Sequence, residues 1–477
     1  MKISSIIDGS RLAAGGLRDF AVGLANPSLR LGVTGLSRSG KTVFITALVL
    51  ALLKGGRLPA FEALSGGRIN RVYLEPQPDD DLPRFRYEEH LEALTAADRR
   101  WPESTRQISQ LRLTIDYTPR GFFARHLGRG LLHVDIVDYP GEWLLDLPLM
   151  NMTYAAWSTA TLAASRDGPR KALAQHWHDH LCTLDAMAIA DESAAIKSAE
   201  LFTRYLARCR ADDVSLSALP PGRFLMPGDY AGSPLLAFAP LDMTADAEFS
   251  RGSLGALMAR RYQSYVDRIV KPFFFGHFAR LDRQIVLVDA LSPLNAGAGA
   301  MIDLQVALSQ ILACFRQGAN SLASHFFGRR IERILFAATK ADRLHHTSHD
   351  KLEAILRLIV EAAATRAEFS GASIDVTAIA AIRATREAHV TQRREVLECI
   401  AGTPQKGEAI GTQVFDGETE AAIFPGDLPA DPRQALDGSL EGRLKFVRFR
   451  PPVPKQDSFP HIRMDRALEF LIGDRLA

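Results

Sequence analysis

Apolar and polar residues first alternate at Leu29, Leu31 and Val33, with Arg30 and Gly32 between them, which predicts a short strand. An apolar run over 43–53, interrupted only by Thr46 and closed by Gly55-Gly56, predicts a helix directly after it. Residues 54–102 show no strong periodicity. They are rich in Gly, Pro, Arg and acidic residues, and Pro76-Gln77-Pro78 followed by three aspartates reads as a loop. Alternation returns over 110–117 and 131–137, which predicts an antiparallel hairpin at the sheet edge. From 143 to about 275, Ala, Leu, Arg and Met recur at helical spacing through 154–165, 170–182, 191–210 and 254–269, broken by Pro220-Pro221-Gly222 and Pro227-Gly228. Strand and helix then alternate again: strands at 284–290, 333–339 and 374–380, helices at 299–316 and 349–366. The tail carries strand-like pieces at 410–415, 420–424 and 444–449 and a closing helix near 464–471. The pattern predicts an α/β fold with a mixed, mostly parallel sheet, in which residues 1–142 and 280–477 form the core and 143–279 a helical insert.

The turn between the first strand and helix is Gly35-Leu36-Ser37-Arg38-Ser39-Gly40-Lys41-Thr42, which fits G-x-x-x-x-G-K-[ST] in the strand–turn–helix context that gives it physical meaning. Its glycines let successive N–H groups point at phosphate oxygens at the positive end of the following helix. Gly35, Ser37, Arg38, Ser39, Gly40, Lys41, Thr42 and Val43 are therefore the expected phosphate contacts, Lys41 reaching the β- and γ-phosphates and Thr42 a magnesium ion.

Composition changes little. With 477 residues, 47% hydrophobic and 23% charged, and a net charge of +2, the chain resembles an ordinary globular protein, with no global charge pointing to nucleic acid. Cys182, Cys209, Cys314 and Cys399 form no C-x-x-C pair or disulfide framework, which suits a reducing cytoplasm. No apolar run reaches membrane-spanning length, and residues 1–25 predict an amphipathic helix packed on the body or lying on a membrane surface.

Two further stretches give the turn a context. Asp138-Tyr139-Pro140-Gly141-Glu142 closes the strand at 131–137, where an aspartate can hold magnesium and a glycine N–H can meet the γ-phosphate. Thr339-Lys340-Ala341-Asp342 closes another strand; a carboxylate there accepts both N–H groups of the guanine edge, and the lysine stem packs on the base. These stretches, with Asp289-Ala290-Leu291-Ser292-Pro293-Leu294-Asn295-Ala296-Gly297, resemble the YcjX family of stress-associated P-loop proteins over most of the chain. The resemblance implies a Ras-like GTPase core interrupted by a helical domain and association with a stress response; together with the motifs it leads to the expectation of a Mg²⁺-dependent switch that hydrolyses GTP to GDP, slowly because of Glu142. It implies a cytoplasmic or membrane-peripheral location and an unidentified protein partner, a membrane protein among the candidates.

The chain departs from the Ras-like pattern in several places. Thr339 stands where an asparagine is usual, and the last guanine-contact segment falls at Ala380-Ala381-Ile382-Arg383, where only backbone groups, near Ala381 and Ile382, could meet the base. Glu142 stands where a water-orienting glutamine is usual; a bare carboxylate there would be repelled by the γ-phosphate, so it points away, is protonated or is paired. Thr105 is the expected magnesium- and γ-phosphate-sensing threonine, and Arg106 a candidate arginine finger or a plain surface arginine. His176 and His180 share a helix face without a third ligand in register, which favours a polar surface over a metal site. Two other functions stay open: an ATPase or phosphotransferase with the insert as a lid, and a nucleotide-binding module without turnover.

Overall fold

The computed structural model describes residues 27–36, 38–103, 107–120, 130–211, 214–314, 331–368, 372–392, 395–454 and 458–477. The amphipathic segment at 1–25 and the site candidates Ser37, Thr105 and Arg106 lie outside them.

A seven-stranded sheet organises the molecule, in the order β2-β3-β4-β1-β5-β6-β7. Its members are β1 (Ser28–Gly35), β2 (Ile69–Glu75), β3 (Ser109–Tyr117), β4 (Gly130–Asp138), β5 (Arg283–Val288), β6 (Arg333–Ala338) and β7 (Ser373–Ala378). β4, β1, β5, β6 and β7 run parallel, and β3 is antiparallel to both its neighbours. The central strands read as continuous apolar runs because both faces are covered. Ile285, Leu287, Leu335 and Ala337 face one core; Val286, Val288, Ile334, Phe336 and Ala338 face the other.

On the first face lie α1 (Lys41–Lys54), α2 (Tyr87–Thr95) and the C-terminal helix α9 (Met464–Ile472). The second face carries the insert helices α3 (Tyr154–Ser165), α4 (Arg170–Leu181), α5 (Glu192–Cys209) and α6 (Leu254–Tyr265), then α7 (Ala298–Cys314) and α8 (His349–Glu368). One continuous core joins the insert to this face: Trp157, Phe202, Tyr262 and Phe273 belong to the same buried cluster as Val286, Phe336 and Val376.

The structure corrects three sequence expectations. The β3–β4 hairpin is not at the edge, because β2 flanks β3 there. Residues 54–102, expected to lack periodic elements, contain β2 and α2, with the predicted loop at 76–81 between them. The stretch 444–449 makes no strand and pairs only at Phe449 with Pro404, whereas two strands unforeseen from sequence, β8 (Arg386–Gln392) and β9 (Glu395–Gly402), form a hairpin joined by β10 (Ala421–Ile423). This small sheet has its own core of Ile400, Phe415, Ile423, Val447 and Phe449.

Candidate nucleotide-binding cleft

The parallel strands deliver their carboxyl ends to one edge of the sheet, where a switch in strand order opens a crevice. β1 ends at Gly35, and the chain turns through Arg38 (φ 63°) and Gly40 (φ 83°), both left-handed, before α1 begins at Lys41. Glycine adopts this backbone without the strain a side chain brings. Gly40 offers no side-chain cap to the first turn of α1. Those N–H groups suit an anion, which the helix dipole also favours. The Ser39 hydroxyl is buried in the same turn and has no hydrogen-bond partner among the described residues. Lys41 Nζ donates to Gly35 O at 3.3 Å, and Thr42 Oγ1 to Glu103 O at 3.4 Å.

β4 lies beside β1 with Asp138 opposite Val33, so the buried Asp138 carboxylate and the β1 turn share one end of the sheet. Gly141 packs onto the turn itself, and a Cβ there would overlap the Gly35 carbonyl. Glu142 follows, buried, with Oε1 3.4 Å from Arg210 Nη1 at the end of α5. Of the three alternatives the sequence allowed for Glu142, this is pairing. The helical turns of Gly141–Asn151 then lock onto the insert. Trp143 Nε1 donates to Met226 O at 2.9 Å, and the Arg223 guanidinium lies 3.1 Å from the Trp143 ring centre. Asp146 accepts from Gly222 N at 2.7 Å and Tyr265 OH at 2.6 Å.

At the far end of the crevice, Thr339 turns towards β5, its N–H donating to Val288 O at 2.9 Å. Lys340, left-handed at φ 61°, places Nζ 2.5 Å from Asp289, which Ser292 Oγ also reaches at 2.9 Å. Asp342 is buried, and burial pushes its carboxyl above the ordinary range; the Ala384 N–H, 3.0 Å from Oδ2, and Arg343 oppose that shift.

A cavity of about 660 Å³ joins the turn before α1 to the 339–342 loop, while Gly35, Asp138, Gly141 and Glu142 lie outside its lining. Its lining includes Arg38, Ser39, Gly40, Lys41, Thr42 and Val43 at one end and Thr339, Lys340, Asp342, Ala381 and Ile382 at the other. Its remaining wall was not legible in the sequence. Trp101, Phe446, Arg448 and Phe449 close it, with Trp101 Nε1 donating to Phe449 O at 2.7 Å. These residues are far apart in the chain and carry no local signal. The Arg38 guanidinium is held below its ordinary value, by burial first and then by the charges of Arg210 and Arg448. Arg210 and Arg448 are each paired with a carboxylate, Glu142 and Glu408.

Of the histidines on α4, His178 Nε2 meets Ser165 Oγ at 2.8 Å and His180 Nε2 meets Ser198 Oγ at 3.1 Å. Among the described residues, no helix is long and apolar enough to cross a membrane.

A family model described as YcjX-like family, DUF463, matches residues 29–476. A protein of Escherichia coli (strain K12) named Ras-like GTPase YcjX is 38% identical over 460 residues, covering 94% of this chain and 96% of that relative. Its namesake in Shewanella oneidensis is 37% identical over 481 residues, covering 95% of each chain.

Proposed function

The chain belongs to the YcjX-like family, and from that premise we propose that it is a Mg²⁺-dependent, guanine-nucleotide-controlled switch that hydrolyses GTP to GDP and phosphate. One observation carries the reading: a single cavity is lined by the glycine-rich turn before α1, by Asp342 and by residues 380–382. A nucleoside triphosphate needs all three, a cradle for phosphates at one end and a carboxylate with backbone groups for the base at the other. In this reading the α1 N–H groups, the Ser39 hydroxyl and Lys41 bind the phosphates, and an ionised Asp342 accepts the two N–H groups of guanine. Thr42 and Asp138 supply the hard oxygen donors that suit magnesium, which when bound neutralises charge on the β- and γ-phosphates.

Glu142 supports slow intrinsic turnover. A carboxylate held by Arg210 does not orient a water as an amide does. The stress role and protein partner rest on the family resemblance alone.

The test is competition between GTP and ATP for the purified protein with Mg²⁺, with phosphate release measured in the same samples. GTP should displace ATP, and Asp342→Asn should weaken GTP about tenfold to a hundredfold, the range for a hydrogen bond to a charged group. The variant should shift preference towards xanthosine triphosphate, whose oxygen accepts where guanine's amine donates. Tight GTP binding without phosphate release would reduce the protein to a binding module. Indifference to every purine nucleotide would end the reading.

A further inference from the structure

Outside the cleft, one cluster of ligand-type side chains stands apart from the nucleotide chemistry. The chain leaves Asp342 through Leu344 into His345 and His346, and there meets the β8–β9 hairpin. One ligand atom from each of His345, His346 and Glu387 lies within 4.8 Å of the other two.

The order within the cluster is what a metal ligand needs. His345 is 3% exposed, and its two ring nitrogens face different carboxylates. Nδ1 lies 2.5 Å from Glu398 Oε2 and 3.0 Å from Thr347 Oγ1, and that hydroxyl donates to the same Glu398 oxygen at 2.7 Å. The Thr347 hydroxyl gives its proton to Glu398 and so accepts from Nδ1–H, which leaves the lone pair on Nε2; a ring held at its far nitrogen in this way is oriented for a metal. Nε2 points at Glu387 Oε2, 2.8 Å away, yet the contact lacks hydrogen-bond alignment, and this buried nitrogen has no hydrogen-bond partner among the described residues. His346 Nδ1 converges on the same oxygen from the solvent side at 3.4 Å, its side chain 64% exposed. Glu387 is held from behind, where Oε1 takes Arg383 Nη2 at 2.5 Å. Two imidazole nitrogens thus crowd one carboxylate oxygen, with a buried lone pair beside it and an open path from water.

We propose that His345, His346 and Glu387 form a binding site for one zinc-class dication, with Glu398 and Thr347 holding the His345 ring and solvent completing the coordination. Two nitrogens and one oxygen, with a position open to water, suit a borderline ion such as Zn²⁺ better than Mg²⁺ or Ca²⁺, which take oxygen. The ion would pin the 339–346 loop to the hairpin, across the gap already bridged by Ala384 N to Asp342 Oδ2 and by Thr385 Oγ1 to Asp342 O at 2.5 Å. The site does not depend on whether the cleft takes GTP.

The experiment uses full-length protein stripped with chelator, titrated with Zn²⁺ against a chromophoric competitor in excess Mg²⁺, with Co²⁺ absorption reporting ligand geometry. Because His345 is buried and its replacement disturbs packing, the decisive variants are the exposed His346→Ala and the near-isosteric Glu387→Gln, checked for unchanged circular dichroism. Wild type should bind one equivalent and melt at a higher temperature with Zn²⁺. Glu398→Gln should weaken binding roughly 10- to 100-fold, and the two ligand variants at least as much, with loss of the cobalt spectrum. The proposal is overturned by a wild type that binds no stoichiometric Zn²⁺. It is equally overturned by His346→Ala and Glu387→Gln variants that bind Zn²⁺ as wild type does, which would put the ion elsewhere.

Discussion

Single atoms decide how closely the loops at the sheet edge can approach. A Cβ on Gly141 would occupy the space of the Gly35 carbonyl, and because both partners are backbone, neither can rotate away. Gly141→Ala should therefore lower stability by about 1–3 kcal/mol, the usual overpacking range, and weaken nucleotide binding as well. Chemical denaturation with and without GTP measures both; an unchanged midpoint would show that the two loops can separate freely. Asp146 gives a second prediction. Burial raises its carboxyl from 3.8 to about 6, against the opposing pull of Tyr265, Arg223 and the Gly222 N–H. A carboxyl raised in the folded state keeps its proton where the unfolded chain has lost it. Its contribution is thus fully present below about pH 4 and is lost as pH rises to about 6, a change of about 3 kcal/mol. Asp146→Asn cannot ionise, so its stability measured against pH should lack that fall; identical slopes for the two proteins would place the titration elsewhere.

Elements show where the sequence was legible. β5, β6 and β7, α3 and α4 matched the sequence reading to within a few residues, because burial on both faces or one clean stripe leaves an unmixed pattern. β2 was not, since it is an edge strand with exposed Asn70 and Arg71 and an irregular register at Ile69/Arg71. β8 is Arg-Glu-Ala-His-Val-Thr-Gln, a hairpin arm too polar to announce itself. The opposite error at 444–449 has the same origin. Val447 and Phe449 alternate inward to a small core, so alternation reports burial there without a hydrogen-bonded ladder. In the site, the contiguous turn and the strand-end aspartates were legible. The Arg210–Glu142 pair and the Trp101–Phe449 wall join distant stretches and carry no local signal. The contact of the insert with the core belongs to this scale too. Gly222 sits against the Glu142 carbonyl, where a Cβ would overlap it, and the next residue stacks on Trp143. Gly222→Ala should push that turn off the Gly141–Asn151 segment, at about 1–3 kcal/mol, and expose Trp143. A red-shifted tryptophan emission that disappears in a Gly222→Ala/Trp143→Phe double variant is the expected record; emission like wild type would mean that the turn absorbs the methyl without moving.

In the whole molecule, the insert is continuous with the machinery it would respond to. One buried core runs from Leu36 in the turn through Trp143 and Leu147, across the insert aromatics, and back to the sheet at Phe336. Packed cores pass on displacements because they have discrete arrangements and little slack. A nucleotide that pulls Gly141 towards its γ-phosphate must move Glu142 and Asp146, and those two side chains are tied to Arg210, Gly222 and Tyr265. The opposite face offers an internal reference, because α9 packs against β5 and β6 through a separate core that contains neither the insert nor Gly141–Asn151. Hydrogen exchange should therefore differ between the GDP-bound protein and one holding a non-hydrolysable GTP analogue over 141–151, 222–226 and 262–270, with α9 unchanged. Identical exchange across the insert, in samples where both nucleotides are shown to be bound, would leave nucleotide binding intact and remove the switch. A change spread equally over α9 would mean that nucleotide stabilises the whole fold, with no directed path from phosphate to insert.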